Sequence, residues 1–202
     1  MSIRKILAKN MKRLYQRDLI TCRDGNISFK PKNANYFLIT AGSVLKSQMT
    51  KEQIIKVHFD QEHTWIKDDS IYKPSRELNL HYYIQRQTRN KEENTFVVHS
   101  HPPNAIAYMG VKEHENQQLG SIQKYFPEMN VGNIGKNVPF FDAGTNELAN
   151  SCSMNLYTPY TMVGMRQHGT LCVGNDIDQI IEHIETLEYY IQIYLRSRCI
   201  HV

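Results

Sequence analysis

The stretch Thr95-Phe96-Val97-Val98-His99-Ser100-His101 is an apolar, β-branched run that ends in two histidines two residues apart. Such a run reads as a buried strand. Side chains alternate faces along a strand, so His99 and His101 share one face while Ser100 points to the other. Two imidazoles on one face can chelate a single ion. Pro102-Pro103 stops the strand, since proline cannot donate to a ladder. A third imidazole, His168, follows in Met165-Arg166-Gln167-His168-Gly169, between apolar runs that also read as strands. Three neutral imidazoles around a divalent ion leave one position open, as catalytic zinc sites do, whereas structural zinc sites are closed. The pair alone does not choose a fold: the chain has nine histidines, and His-x-His also occurs in cupins and carbonic anhydrases. A cupin would place a glutamate closely after the pair in a β-rich chain. Here the next acid is Glu113 and the flanks read as helical.

Outward from that strand, the patterning alternates helix and strand. Ile3, Ile6, Leu7, Met11 and Leu14 lie at helical spacing over residues 2–17, with Ser2 at the capping position. Thr21-Cys22-Arg23-Asp24-Gly25-Asn26-Ile27-Ser28-Phe29 is a turn opening into an alternating segment. Tyr36 to Thr40 reads as a strand, and residues 53–59 and 63–66 as weaker ones. Pro74-Ser75 is expected to start a helix capped by Ser75 and running towards Thr88. Residues 103–126 read as two helical pieces, Val138 to Phe141 as an edge strand, 145–156 as a helix, and 161–165 with 170–173 as strands flanking His168. The last helix is the clearest, capped by Asp176 with Ile177, Ile180, Ile181, Ile184, Leu187, Ile191 and Leu195 on one stripe. The expected architecture is α/β: one domain over 1–202, with a central, mostly antiparallel sheet flanked by helices.

Composition narrows the functional classes. Hydrophobic residues make up 41% and charged residues 22%, an ordinary globular balance. No apolar run approaches the roughly 20 residues that span a bilayer, and the N-terminus lacks a signal-peptide core, so the default is a cytoplasmic protein without a membrane partner. The net charge of +4 is spread along the chain, as in Lys91-Glu92-Glu93, and no basic block suggests nucleic acid. A mild positive bias suits a small anionic substrate. Cys22, Cys152, Cys172 and Cys199 show no C-x-x-C spacing and read as reduced thiols.

Taken in order, Asp24-Gly25-Asn26-Ile27-Ser28, Phe37-Leu38-Ile39-Thr40, Pro74-Ser75-Arg76-Glu77, His99-Ser100-His101-Pro102 and His168-Gly169 resemble the class II aldolase/adducin family. That family includes L-fuculose-phosphate aldolase, L-ribulose-5-phosphate 4-epimerase and methylthioribulose-phosphate dehydratase. The resemblance runs from the first helix to the last. It implies a metal-dependent lyase acting on a small phosphorylated keto-sugar through a metal-stabilised enediolate, with dehydration, 4-epimerisation and a non-enzymatic adducin-like scaffold as alternatives. His99, His101 and His168 would be the metal ligands, with Zn2+ the commonest ion. Glu77 would be the acid/base, a role that suits a carboxylate near a helix start beside a dication. Gly25, Asn26, Thr40, Gly42, Ser43, Ser75 and Arg76 would receive the substrate phosphate. Glycine in such a turn lets backbone N–H groups approach an anion, and Ser75 would add a donor at a helix N-terminus.

Two departures qualify the match. Thr40-Ala41-Gly42-Ser43 reverses the usual order of the small residue and glycine, and Arg76 replaces a small residue. Tyr125 falls near a tyrosine that acts on the neighbouring subunit's site in the aldolases, in a chain with 12 tyrosines. The family also implies a homotetramer with sites at subunit interfaces. His81, one helical turn after Glu77, is expected to support the site rather than ligate the metal.

Overall fold

The computed structural model describes residues 1–59, 65–88, 92–110, 116–157 and 159–198. In chain order these form α1 (Ile3–Gln16), β1 (Asn26–Lys30), β2 (Tyr36–Thr40), β3 (Ile54–Phe59), β4 (Trp65–Lys67), α2 (Leu78–Gln87), β5 (Thr95–Ser100), α3 (Pro103–Met109), α4 (Asn146–Asn155), β6 (Met162–Met165), β7 (Gly169–Gly174) and α5 (Ile177–Arg198). Short 3-10 turns cover Lys46–Gln48, Lys51–Gln53 and Leu119–Lys124. The strands make one sheet in the order β4-β3-β2-β1-β5-β7-β6. Every neighbouring pair in it is antiparallel.

The sheet lies between two helical layers, which explains its composition. On one face Ile27, Phe29, Leu38, Phe96 and Val98 pack with Leu7, Met11 and Leu14 of α1 and Ile181, Ile184 and Leu187 of α5. On the other face Val97, Leu171 and Val163 pack with Leu80 and Ile84 of α2 and Leu148 and Cys152 of α4. Phe37, Ile39 and Val57 extend that layer under Leu78 and Tyr82. Strands β1 and β5, covered on both sides, are buried at every residue. Each fully buried Leu or Ile contributes about 1.5–3 kcal/mol before the entropic cost of ordering is counted. Arg13 clamps the first and last helices with a two-pronged bond to Glu185, at 2.9 and 3.0 Å.

The helix ends follow local chemistry. Asp176 accepts from the Asp178 and Gln179 amides at 2.9 and 3.3 Å, and Thr145 accepts from the Leu148 amide, as N-caps do. Ser2 occupies the capping position of α1 but its side chain makes no capping bond. The N-terminus of α3 is held by Glu188 of α5, whose carboxylate accepts from the Asn104 and Ala105 amides at 2.8 and 2.9 Å. That bond fixes the chain just past His101.

Three sequence expectations are corrected. Helix α2 starts at Leu78 rather than after Ser75, and Glu77 sits at its capping position. Residues 73–75 are held extended by a bridge between Ala41 and Pro74 and by the Gly42 amide donating to the Lys73 carbonyl at 3.0 Å. Val138 to Phe141 is not a strand: Val138 makes one parallel bridge to Met165, and Pro139 has no N–H to continue a ladder. The second helical piece of 103–126 is the 3-10 turn at Leu119–Lys124, with 111–115 outside the described residues. The strand expected at 63–66 is β4, with 60–64 likewise outside. Cys22, Cys152 and Cys172 are free thiols, and Cys199 lies outside the described residues.

The start of β7 lies close against the end of β5. A Cβ on Gly169 would lie 2.1 Å from the Ser100 carbonyl oxygen. Gly169→Ala should therefore force β7 away from β5, costing about 3 kcal/mol, and urea denaturation should register the loss. Wild-type stability in this variant would show that the strands are not so closely apposed.

Candidate metal centre and cavity

Three elements deliver three imidazoles to one end of the sheet. His99 is the next-to-last residue of β5, His101 follows it, and His168 lies in the β6–β7 turn. That turn is shaped by a left-handed Gln167 (φ 57°), and the His168 amide donates to the Met165 carbonyl at 3.1 Å. The potential ligand nitrogens of the three residues all lie within 4.8 Å of one another. The rings stand edge-on, with centroids 4.6 Å (His99–His101), 4.8 Å (His99–His168) and 5.1 Å (His101–His168) apart. Ser100 points to the opposite face and bonds Thr170 Oγ1 at 2.8 Å, as strand alternation requires.

The partners of these rings fix their tautomers. His99 Nδ1 donates to the Thr170 carbonyl at 3.0 Å, so its Nε2 carries a bare lone pair. His101 Nδ1 faces Asp24 Oδ2 at 3.4 Å. The two Nε2 atoms are 2.8 Å apart. A contact of that length is a hydrogen bond with one shared proton, which a cation held by both nitrogens would displace, and outer partners of this kind are the usual orienting shell of metal-bound histidines. Burial first, and then the neighbouring rings, push His99 well below the ordinary histidine range and His168 down to about 4. Both shifts favour neutral imidazoles at His99 and His168, the protonation state that binds a metal. The donor set fits a divalent ion of the zinc class.

Asp24 is the orienting residue that sequence reasoning left in a turn. Its burial would raise its pKa, but bonds from His101 and from the Thr21 hydroxyl and amide hold it at about 2. The Thr21 contacts are 2.7 Å to Oγ1 and 2.6 Å to N.

Glu77 lies beside the histidines, 3.9 Å from His168 Nε2, and is 6% exposed. Its Oε2 is buried without a hydrogen-bond partner. Burial raises its proton affinity, against the opposing influence of His101, the Gly144 backbone N–H and Arg76. A carboxyl held in this way is poised to exchange a proton with whatever enters.

These groups line a cavity of about 330 Å³ together with Gly25, Asn26, Gly42, Ser43, Ser75 and Arg76. Gly25 has a left-handed φ of 67°, and a Cβ there would meet Ile20 Cγ2 at 2.4 Å. The reversed Gly42-Ser43 order leaves Ser43 in the left-handed position (φ 56°), a conformation costing about 1–2 kcal/mol for a non-glycine residue. Two sequence candidates do not line the cavity. Thr40 is fully buried, and its Oγ1 accepts from the Ile27 amide at 3.2 Å. Tyr125 is 52% exposed and stacks on Tyr194 with centroids 4.9 Å apart, beside a separate pocket.

Below the cavity runs a buried polar chain. Asn26 Nδ2 donates to Ser75 Oγ at 2.9 Å, and His81 Nε2 donates to Asn26 Oδ1. His81 Nδ1 then accepts from Ser28 Oγ at 2.7 Å, and Gln85 Nε2 donates to the same Ser28 oxygen at 2.9 Å. Ser75 Oγ also accepts from the Glu77 amide at 3.3 Å. With both of those bonds accepted, the Ser75 hydroxyl proton is left to donate towards the cavity.

The sequence matches the profile of the Class II Aldolase and Adducin N-terminal domain over residues 5–195. The chain belongs to the class II aldolase and adducin family. An L-fuculose phosphate aldolase from Methanococcus maripaludis is 29% identical over 182 residues, covering 89% of this chain and 88% of that protein. A methylthioribulose-1-phosphate dehydratase from Saccharomyces cerevisiae is 24% identical over 201 residues, covering 92% of this chain and 80% of that protein. Among solved structures, a sugar-phosphate aldolase from Thermotoga maritima superposes with a TM-score of 0.80 at 20% identity, over 98% of this chain and 96% of that one. The last of these speaks to the fold alone. Among the described residues, no helix is long and apolar enough to cross a membrane.

The polar chain yields a pH prediction. Burial holds His81 at about 3, against 6.5 for a free histidine. Between those values the unfolded chain takes up a proton that the folded chain refuses, so stability falls as pH drops through that window. The slope is about 1.4 kcal/mol per pH unit when one group is fully linked. From pH 6.5 to about pH 4.5 the wild type should lose roughly 2 kcal/mol more than His81→Gln in urea titrations. Equal losses would show that His81 is not a buried neutral group.

Proposed function

We propose that this chain is a zinc-dependent lyase that cleaves a small phosphorylated keto-sugar in the retro-aldol direction. The observation that carries the reading is the convergence of His99, His101 and His168, whose ligand nitrogens lie within 4.8 Å of one another, with an unpartnered Glu77 carboxylate oxygen beside the cluster. His99, His101 and His168 would hold the ion. When bound, it supplies Lewis acidity that draws electron density from a carbonyl and the adjacent hydroxyl oxygen. The chain's own residues do the rest. Glu77 takes a proton from the substrate and returns it to carbon, its proton affinity raised by burial. Ser75 donates its free hydroxyl proton to the phosphate. Asn26 orients Ser75, and Gly25, Gly42 and Ser43 bring backbone close to the anion. Arg76, exposed at the rim, adds positive charge.

A cytoplasmic homotetramer, in which Tyr125 of one subunit serves the site of the next, completes the proposal. Its support is that Tyr125 is exposed and lies away from its own chain's cavity. A second reading, dehydration of a thio-sugar phosphate, is favoured by the yeast relative. It would use the same ion site and Glu77 to remove a proton and expel a hydroxyl.

Two experiments test this. His99→Ala should lose bound zinc and activity together, whereas Glu77→Gln should keep the zinc and lose about 10²–10⁴-fold in rate. Zinc-loaded protein incubated with dihydroxyacetone phosphate in D₂O should show stereospecific loss of one C–H proton signal, absent in Glu77→Gln. No exchange with zinc in place would overturn the aldolase reading and leave the dehydratase. Full activity without metal would overturn both.

A further inference from the structure

Lys46 is 1% exposed, yet it lines the cavity. It opens the 3-10 turn at Lys46–Gln48 and joins two loops at the cavity wall. Its amide donates to the Cys22 carbonyl at 2.9 Å, and its ammonium donates to the Ala41 carbonyl at 2.6 Å. An ammonium carries three donors, and this carbonyl uses one of them. Among the described residues no carboxylate lies within ion-pair distance of it. Asp24 acts on it only at longer range, with its oxygens committed to Thr21 and His101.

A cation taken out of water is costly unless it is paired. Burial lowers Lys46 to about 8, so it stays charged at neutral pH while short of a counter-charge. Its surroundings show where that counter-charge would sit. Ala41, whose carbonyl Lys46 holds, precedes Gly42, and a Cβ on Gly42 would lie 3.2 Å from Ser75 Cα. Lys46 and Ser75 therefore flank the same turn, and both line the same cavity.

We propose that Lys46 is a substrate-binding residue, whose ammonium pairs with a phosphomonoester dianion held between it and Ser75. Its tie to Ala41 sets the 41–43 turn and keeps one donor occupied, leaving two for phosphate oxygens. The proposal rests on the phosphorylated-substrate reading above and adds the main countercharge that reading lacks. Arg76 and Arg23, both exposed at the rim, would attract the anion and leave its desolvated pairing to Lys46.

Inorganic phosphate is the probe. Titration calorimetry on zinc-loaded protein should show phosphate binding that weakens about 10- to 100-fold in Lys46→Met, with zinc content unchanged. Equal affinity in the two proteins would overturn the role of Lys46 and leave the phosphorylated-substrate reading standing. No binding to the wild type would overturn that reading, and with it this one. A wild-type crystal soaked in phosphate decides the matter even if Lys46→Met fails to fold. A phosphate oxygen within hydrogen-bond distance of Lys46 Nζ supports the assignment, and phosphate seated elsewhere in the cavity, away from Lys46, contradicts it.

Discussion

The register of β5 between β1 and β7 is the constraint on which the site depends. His99 faces Asn26 on one side and Leu171 on the other. Because side chains alternate, a slip of one residue would turn His99 into the apolar layer under α1 and α5 and bring Val98 to the cavity. The slip is opposed along the whole strand. Phe96 and Val98 belong to one core, and Val97 to the other. Both flanking ladders are made, and the hairpin glycine at 169 admits no side chain between the strands. The histidine cluster is thus a by-product of satisfying two hydrophobic layers at once.

Around that strand, polar groups are matched almost completely, and the exceptions are informative. Asn26, Ser28, His81 and Gln85 satisfy one another in a closed layer, which is the condition for burying such a network without penalty. Asn10 Oδ1 on α1 is one exception away from the site, and the others cluster beside the cavity. Glu77 Oε2 lacks a partner, three imidazoles converge, and the Lys46 ammonium is under-neutralised. One gap calls for a proton, one for a cation and one for an anion. A phosphorylated keto-sugar entering a metal-loaded site would fill all three, which ties the fold's electrostatics to the proposed chemistry.

Much of this was legible in the sequence, for identifiable reasons. Strict alternation in Thr95–His101 put two imidazoles on one face, and the 3.6-residue stripe of α5 fixed its extent. The start of α2 was misread because Ser75 looks like a capping residue, whereas the Ala41–Pro74 bridge, a long-range contact, holds that segment extended. Thr40 looked like a ligand by its place in a motif, but it is fully buried and does not line the cavity, its hydroxyl oxygen accepting from the Ile27 amide of a neighbouring strand. Asp24 opens a motif segment but with no role of its own, and Lys46 lies in none. One reads as a turn residue and the other as a surface lysine, and only tertiary burial gives them their roles.

The central claim is that His99, His101 and His168 jointly bind one divalent ion. The most direct measurement is zinc K-edge X-ray absorption on protein loaded with one equivalent of zinc. The account predicts imidazole scattering from three histidine nitrogens, completed by oxygen, and loss of one imidazole contribution in His168→Ala. A shell of oxygen alone, or sulfur from a cysteine, would contradict it.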